Sequence, residues 1–242
     1  MSALRSAVRR RAARWLENIW RRPQPIRWGN LRKLTPISRV FGLDRGKPID
    51  RHYIENFLLR HTCDIHGRVL EVTDNKYTLQ FGCSEVNQSD VLHAVSGNPQ
   101  ATVVGDLATG NGVPQAAFDC IILTQTLQFI YDIKEAAVQI CKALRPGGVA
   151  LVTVPGISQI SRYDMDRWGD YWRFTDASAR RLFAEVFGAE NVAVTTYGNV
   201  VAGCAFLHGL AAHELKGEEL DYHDRDYQVI IGIRAVRPLG AS

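Results

Sequence analysis

Ala101-Thr-Val-Val-Gly-Asp-Leu107, Phe118-Asp-Cys-Ile-Ile-Leu-Thr124 and Leu144-Arg-Pro-Gly-Gly-Val-Ala-Leu-Val-Thr-Val154 follow one another within Ala101–Gly156, and their order decides the fold. Ile121, Ile122, Val149, Leu151, Val152 and Val154 make short apolar, β-branched runs bounded by turn residues, the habit of strands buried on both faces of a parallel sheet. Between the last two runs, Phe129, Ile130, Ile133, Ala137, Ile140, Cys141 and Leu144 recur at helical spacing, which predicts a helix over 128–144 and a right-handed strand–helix–strand unit. Pro146-Gly147-Gly148 is read as the turn that ends the helix, because proline cannot continue it and glycine supplies positive φ. Ligands of open parallel sheets sit outside the carboxyl ends of the strands. Asp106, Thr124, Gln125 and Pro155 fall there.

The chain has 242 residues, 46% hydrophobic and 22% charged, enough to bury a full core in an ordinary globular protein. Its longest late apolar stretch, 200–212, is too short to cross a bilayer and contains His208. Cys63, Cys83, Cys120, Cys141 and Cys204 form no C-x-x-C pair and are odd in number, which favours reduced thiols in a cytoplasmic setting over a disulfide frame or a zinc site. Charge is unevenly placed. Eight arginines and Glu17 give residues 1–27 a charge of +7, leaving −3 for the rest of a chain whose total is +4. Leu4, Val8, Ala12, Trp15, Leu16, Ile19 and Trp20 recur at helical spacing there, so 1–27 reads as a basic amphipathic extension suited to an anionic membrane surface or a protein partner, with a self-packed helix, a solvated tail or a transit peptide as alternatives.

Residues 28–50 mix aromatic, Gly, Pro and basic residues without lasting period and read as a lid or linker. Asp50 is expected to cap a helix from Arg51 to about His61. Gly67-Arg-Val-Leu-Glu-Val-Thr-Asp74 is the first core strand of the domain, 51–242. Later elements are a helix over 176–187 capped by Thr175, a strand over 191–197, a helix over 200–215 and a last strand over 227–236. Directly after the strand that ends at Val154, residues 155–175 pack Tyr163, Trp168, Tyr171 and Trp172 among charged residues that include Arg173. Aromatic rings mixed with charge suit a polar ligand with apolar faces, such as a sugar, and those five residues are the substrate-binding candidates; a structurally anchored surface loop is the alternative.

With Val69-Leu-Glu-Val-Thr73, Val86-Asn-Gln-Ser-Asp90-Val-Leu, Gly105-Asp106-Leu107, Phe118-Asp119 and Leu144-Arg-Pro-Gly-Gly148 in hand, the chain from about Ile49 to Val236 resembles the class I S-adenosylmethionine-dependent methyltransferases, in particular the type 11-like branch acting on sugars and other small molecules. The resemblance implies a Rossmann-like α/β fold: a seven-stranded, mostly parallel sheet with helices on both faces, preceded by the N-terminal helical extension. It implies S-adenosyl-L-methionine as cofactor, with Glu71 and Thr73 at the first turn, Asp90 on the ribose hydroxyls, Asp106 on the adenine amino group, Leu107 against the adenine, and Thr124 and Gln125 at the methionine end. One element departs from the family. Where its glycine-rich turn belongs, this chain reads Glu71-Val-Thr-Asp-Asn-Lys-Tyr77, and Asp74-Asn75 are the residues best able to bend there.

Methyl transfer from a sulfonium to a hydroxyl requires positioning and a base. Asp170, His208 and His213 are the candidate bases, with histidine titrating in the useful range. The acidic loop around His223 has no recognisable metal-ligand spacing, so no metal is expected. Neither G-x-x-x-x-G-K, G-x-G-x-x-G nor G-x-S-x-G occurs, which argues against P-loop hydrolysis, the usual dinucleotide enzymes and α/β-hydrolases, and no fold motif supports nucleic-acid binding. Two functions stay open: O-methylation of a small-molecule, sugar or glycan hydroxyl, as in polysaccharide biosynthesis, or a catalytically inactive scaffold of the same fold in glycan or membrane-associated assembly. Either suits a cytoplasmic protein, peripheral to the membrane if the arginine-rich extension binds it.

Overall fold

Alternation along the central strands sends successive side chains into two cores. Ile121 and Leu123 join one, Cys120 and Ile122 the other, and Ala150 and Val152 oppose Val149 and Leu151 in the same way. In the computed structural model these residues sit in a seven-stranded sheet of order β3-β2-β1-β4-β5-β7-β6. The strands are β1 (Gly67–Val72), β2 (Val86–His93), β3 (Val103–Val104), β4 (Phe118–Thr124), β5 (Leu144–Pro155), β6 (Val192–Tyr197) and β7 (Ile230–Val236). β7 runs antiparallel to both neighbours, and the remaining pairs are parallel. The structure describes residues 29–82 and 84–240, so the amphipathic helix expected in 1–27 lies outside the described residues. Contacts divide the chain after Thr35; before that boundary the described structure is a 3₁₀ turn, Gly29–Arg32.

Among the described residues seven α-helices flank the sheet: α1 (Ile49–Leu59), α2 (Lys76–Phe81), α3 (Ile133–Ala143), α4 (Arg162–Met165), α5 (Asp176–Phe187), α6 (Val200–Leu207) and α7 (Gly217–Asp221). α3 and α5 bury Ile140, Phe183 and Phe187 on one face, while α1 and α6 bury Ile54, Phe57 and Phe206 on the other. The predicted capping of α5 is present, with the Thr175 hydroxyl accepting the Ser178 N–H.

Four boundaries move for identifiable reasons. The helix expected from 128 begins at Ile133, because the Asp132 carboxylate accepts the Glu135 N–H; 127–129 is a 3₁₀ turn. Pro146-Gly147-Gly148 is no isolated turn: the chain enters β5 at Leu144, and Gly147 and Gly148 bond Arg237 beyond β7, with Gly147 at φ +81°. Asp50 lies inside α1 rather than capping it; Pro48 holds the cap position, and burial pushes the Asp50 carboxyl up. The late helix stops at Leu207, so His213 is not on it but in a 3₁₀ turn, Ala212–Glu214.

An ion pair ties the turn before β1 to the antiparallel strand. Asp64 accepts from Arg234 through both oxygens, at 2.8 and 2.7 Å, which with His61 holds its carboxyl well below the usual carboxylate range despite partial burial. A depressed folded pKa gives stability that is present above the unfolded value near 4 and lost as pH falls below it. The melting temperature of Asp64→Asn, followed from pH 7 downward, is therefore expected to lie furthest below that of the native protein at neutral pH and to converge with it under acid; a gap constant with pH would exclude the charge as the source.

Candidate functional site

β1, β2 and β3 step one way across the sheet and β4 and β5 the other, so the strand order reverses between β1 and β4. A crevice opens outside the carboxyl ends at such a point. Both strands leave it through strained backbone: Thr73, directly after β1, has φ +76°, and Gln125, directly after β4, has φ +48°. Positive φ in a β-branched residue is uncommon and is held only where surrounding structure enforces it. Thr73 is clamped by its N–H to Leu92 and its carbonyl to Asn98 Nδ2, and the Gln125 N–H is held by the Thr153 carbonyl. The sharp bend predicted at Asp74-Asn75 thus falls one residue earlier.

Beside Gln125 lie buried polar atoms with no partner: Gln125 Nε2 and Gln128 Oε1, a donor and an acceptor in the segment leaving β4. Gln128 Nε2 is spent on the Gln125 carbonyl at 2.9 Å. Orphaned buried groups cost stability and call for a partner such as an ordered water or a ligand. Glu71, 3% exposed at the end of β1, is fully used: its carboxylate accepts the Tyr77 N–H, the Thr78 N–H and the Thr78 hydroxyl, anchoring the start of α2. Burial pushes its carboxyl up, opposed by those bonds. Behind the turn the Arg51 guanidinium donates to the Tyr77 hydroxyl at 3.2 Å and joins no ion pair among the described residues.

The loop 156–175 crosses these strand ends. It is docked by the Tyr171 N–H on the Gln128 carbonyl, the Trp172 indole N–H on the Ile130 carbonyl at 3.1 Å, and the Phe174 N–H on the Pro155 carbonyl. At its far side the Trp168 ring meets His93, the last residue of β2, edge-to-face with centroids 6.2 Å apart. A segment that leaves β5 and touches the end of β2 roofs β4 and β1, which lie between. Tyr163, Trp168 and Tyr171 keep 67, 41 and 50% of their surface exposed. Trp172 and Arg173 are anchors of this roof: Trp172 packs on the core, and Arg173 grips Asp170 and the Ser158 and Gln159 carbonyls.

Several expected site residues stand elsewhere. Asp90 is not at a strand end: it pairs with Leu70 inside the sheet, is 3% exposed, and its carboxylate is taken by Arg68 at 2.7 Å and by Thr102 and Gln88. Those partners hold its carboxyl below the usual range against the effect of burial. The last residue of β2 is His93, which the acid pattern concealed and which meets Trp168. Asp170 is no free base; its oxygens accept from Arg173 and from the Ser161 N–H, and its side chain is 2% exposed. His208 ends α6, its carbonyl accepting the Ile37 and Ser38 N–H groups and its Nδ1 buried without a partner, while exposed His213 lies against Gly46. Both histidines thus pack against 37–46. Asp106 follows β3, its carboxylate accepting the Ala108 N–H and the Thr109 hydroxyl, and Leu107 is core, 5% exposed beside Val103 and Val113. Thr124 ends β4 with its carbonyl on the Thr126 hydroxyl. Among the described residues no group of His, Cys, Asp and Glu could hold a metal.

A mostly parallel sheet reversing at β1/β4, the antiparallel strand β7 inserted next to its edge, and a crevice at the reversal define the class I S-adenosylmethionine-dependent methyltransferase fold. Residues 51–193 match the family model described as a methyltransferase domain, and the chain belongs to that family. Among solved structures, a SAM-dependent methyltransferase from Archaeoglobus fulgidus is similar over 77% of this chain and 94% of its own, at 10% identity and TM-score 0.51. The N-methyltransferase NodS from Bradyrhizobium japonicum WM9, solved with S-adenosyl-L-homocysteine, is similar over 80% of this chain and 90% of its own, at 13% identity and TM-score 0.50. At such identities the likeness is one of fold. No curated protein sequence matches this chain significantly.

Proposed function

We propose that this chain transfers the methyl group of S-adenosylmethionine to a hydroxyl of a sugar, glycan or other small molecule. The observation that carries the reading is the roof: a loop with three exposed aromatic rings, docked beside the orphaned amides at the β1/β4 crevice. The crevice fits the cofactor in its donors and acceptors. The Thr73 turn, Gln125 and Gln128 would face the methionine moiety, with Arg51 a cation suited to its carboxylate; His93, Asp106 and Leu107 would flank the nucleoside. Bound there, the cofactor supplies an electrophilic methyl on a sulfonium. The residues of this chain do the rest: the strained turns aim backbone and amide groups inward, and the roof excludes water and offers ring faces to an acceptor.

In the same reading, residues 1–27 dock the protein on an anionic membrane surface or a partner, 28–50 serve as a lid or linker, 51–242 carry the transfer, and the location is cytoplasmic or peripheral to the membrane. Among the described residues no helix is long and apolar enough to cross a membrane. Thr73 in place of glycine, together with a Glu71 already spent on α2, favours the second reading, a scaffold that no longer catalyses. Calorimetric titration with S-adenosylmethionine and S-adenosylhomocysteine, followed by transfer of a labelled methyl to a panel of sugars, separates them: binding and transfer support the enzyme, and no binding by folded protein supports the scaffold.

Thr73→Gly sharpens the distinction. Thr73 is exposed and its φ suits glycine, so relief of roughly 1–3 kcal/mol of strain outweighs a glycine entropy cost of about 0.5–1 kcal/mol. A melting temperature higher by about 2–4 °C is expected, with S-adenosylhomocysteine binding more tightly. A lower melting temperature would show the threonine side chain to be a stabilising contact.

A further inference from the structure

A second concavity lies away from the crevice, at the opposite edge of the sheet, where α1, the start of α5, β6 and the segment after α7 meet around about 440 Å³. Arg60, Arg180 and Arg225 reach it from three separate elements. None of the three joins an ion pair among the described residues, whereas Arg181, adjacent to Arg180, pairs with Glu185. On the same wall the Tyr197 hydroxyl is buried without a partner in a residue 8% exposed, with Arg60 over its ring at 5.7 Å. The His223 imidazole shares a 2.7 Å hydrogen bond with the Thr196 hydroxyl at the rim.

The carboxylates on this wall are Asp176 and Asp221. Asp176 Oδ1 already accepts the Ala177 N–H, and Asp224, in the adjoining concavity, accepts the Asp226 N–H. A bond with Gln228, and Arg180 and Arg225 nearby, hold the Asp176 carboxyl below the usual range, and three guanidinium groups face two carboxylates on this wall. Each guanidinium carries five N–H groups in a planar fork that matches phosphate oxygens, and Tyr197 adds a hydroxyl donor. An acceptor-rich anion complements these groups, and the volume falls in the range of small-molecule sites.

We propose that this cavity is a binding site for a phosphate-bearing small molecule, of the mono- or diphosphate class, separate from the methyl-transfer crevice. Arg60, Arg180 and Arg225 bind the phosphate oxygens, and Tyr197 donates to one of them. The inference does not depend on whether the crevice binds S-adenosylmethionine.

Titration calorimetry of the full chain with pyrophosphate and with orthophosphate tests it, using Arg180→Gln/Arg225→Gln, Tyr197→Phe and, as a control, Arg181→Gln. Sub-millimolar binding that weakens with added salt, falls by roughly tenfold or more in the double variant and is unchanged in Arg181→Gln is the expected result. Tyr197→Phe, which keeps the ring packing, is expected to weaken it by a few-fold. A cooperative melting transition near the native temperature shows that the double variant is folded, and a pyrophosphate-induced rise present in the native protein and lost in the variant shows that the ligand binds the native state through these arginines. No binding, or binding that survives the double variant and so belongs to other arginines such as those of residues 1–27, overturns the proposal.

Discussion

Gln125→Leu is expected to weaken binding of S-adenosylhomocysteine by roughly 30-fold, since about 2 kcal/mol is the cost of removing one donor from a buried polar site. The argument starts from the backbone. Gln125 is held at φ +48° immediately after β4, and its side-chain Nε2 is buried without an acceptor. In the proposed function a ligand acceptor completes that amide, which is what the substitution tests. Leucine keeps the bulk and removes the donor. The apo protein gains by losing an unsatisfied group, so Gln125→Leu should melt no lower than the native chain while binding poorly. Gln125→Gly separates the two contributions further: it relieves φ as well, and is expected to raise the melting temperature while still losing affinity. Affinity unchanged in both variants would remove Gln125 from the site and leave its strain without a ligand-binding role.

The frame of the fold was legible because it rests on local chemistry. Short apolar, β-branched runs buried on both faces marked β4 and β5, the apolar spacing marked α3, and Thr175 caps the start of α5 where predicted. Less of the site was legible, because pairing over long separations decides which polar residues are free. Asp90 has the composition of a ribose ligand, yet Arg68, 22 positions earlier, consumes it. Asp170 has the look of a base, yet Arg173 at i+3 closes on it, and here the spacing was a signal within reach. The roof contact between His93 and Trp168 joins the end of β2 to a loop residue 75 positions later, and nothing local announces it. Nor does a sequence show that a threonine takes the positive φ and leaves Asp74-Asn75 to begin the next helix.

Stability of the site rests on the helix that follows the roof. α5 packs against β6 and β7 and against α3, and Phe183, fully buried, stands at the centre of that contact with Phe187 5.8 Å away. Its removal leaves a void bounded by strands that cannot collapse, because their hydrogen-bond ladders are complete on both sides of β7. Phe183→Ala is therefore expected to cost about 3–5 kcal/mol, a fall in melting temperature of roughly 6–20 °C for a chain of this size. Phe183→Leu, retaining most of the volume, should recover the larger part. The consequence reaches function through α5's first turn, which carries Thr175 at the end of the roof and Asp176 bonded to Gln228 on the rim of the second cavity. Loosening α5 should accordingly raise protease cutting within 156–175 before the sheet unfolds. Equal protection of the roof in Phe183→Ala and native protein, at a temperature where both are folded, would show that the roof is held by Trp172 and the Asp170–Arg173 pair alone.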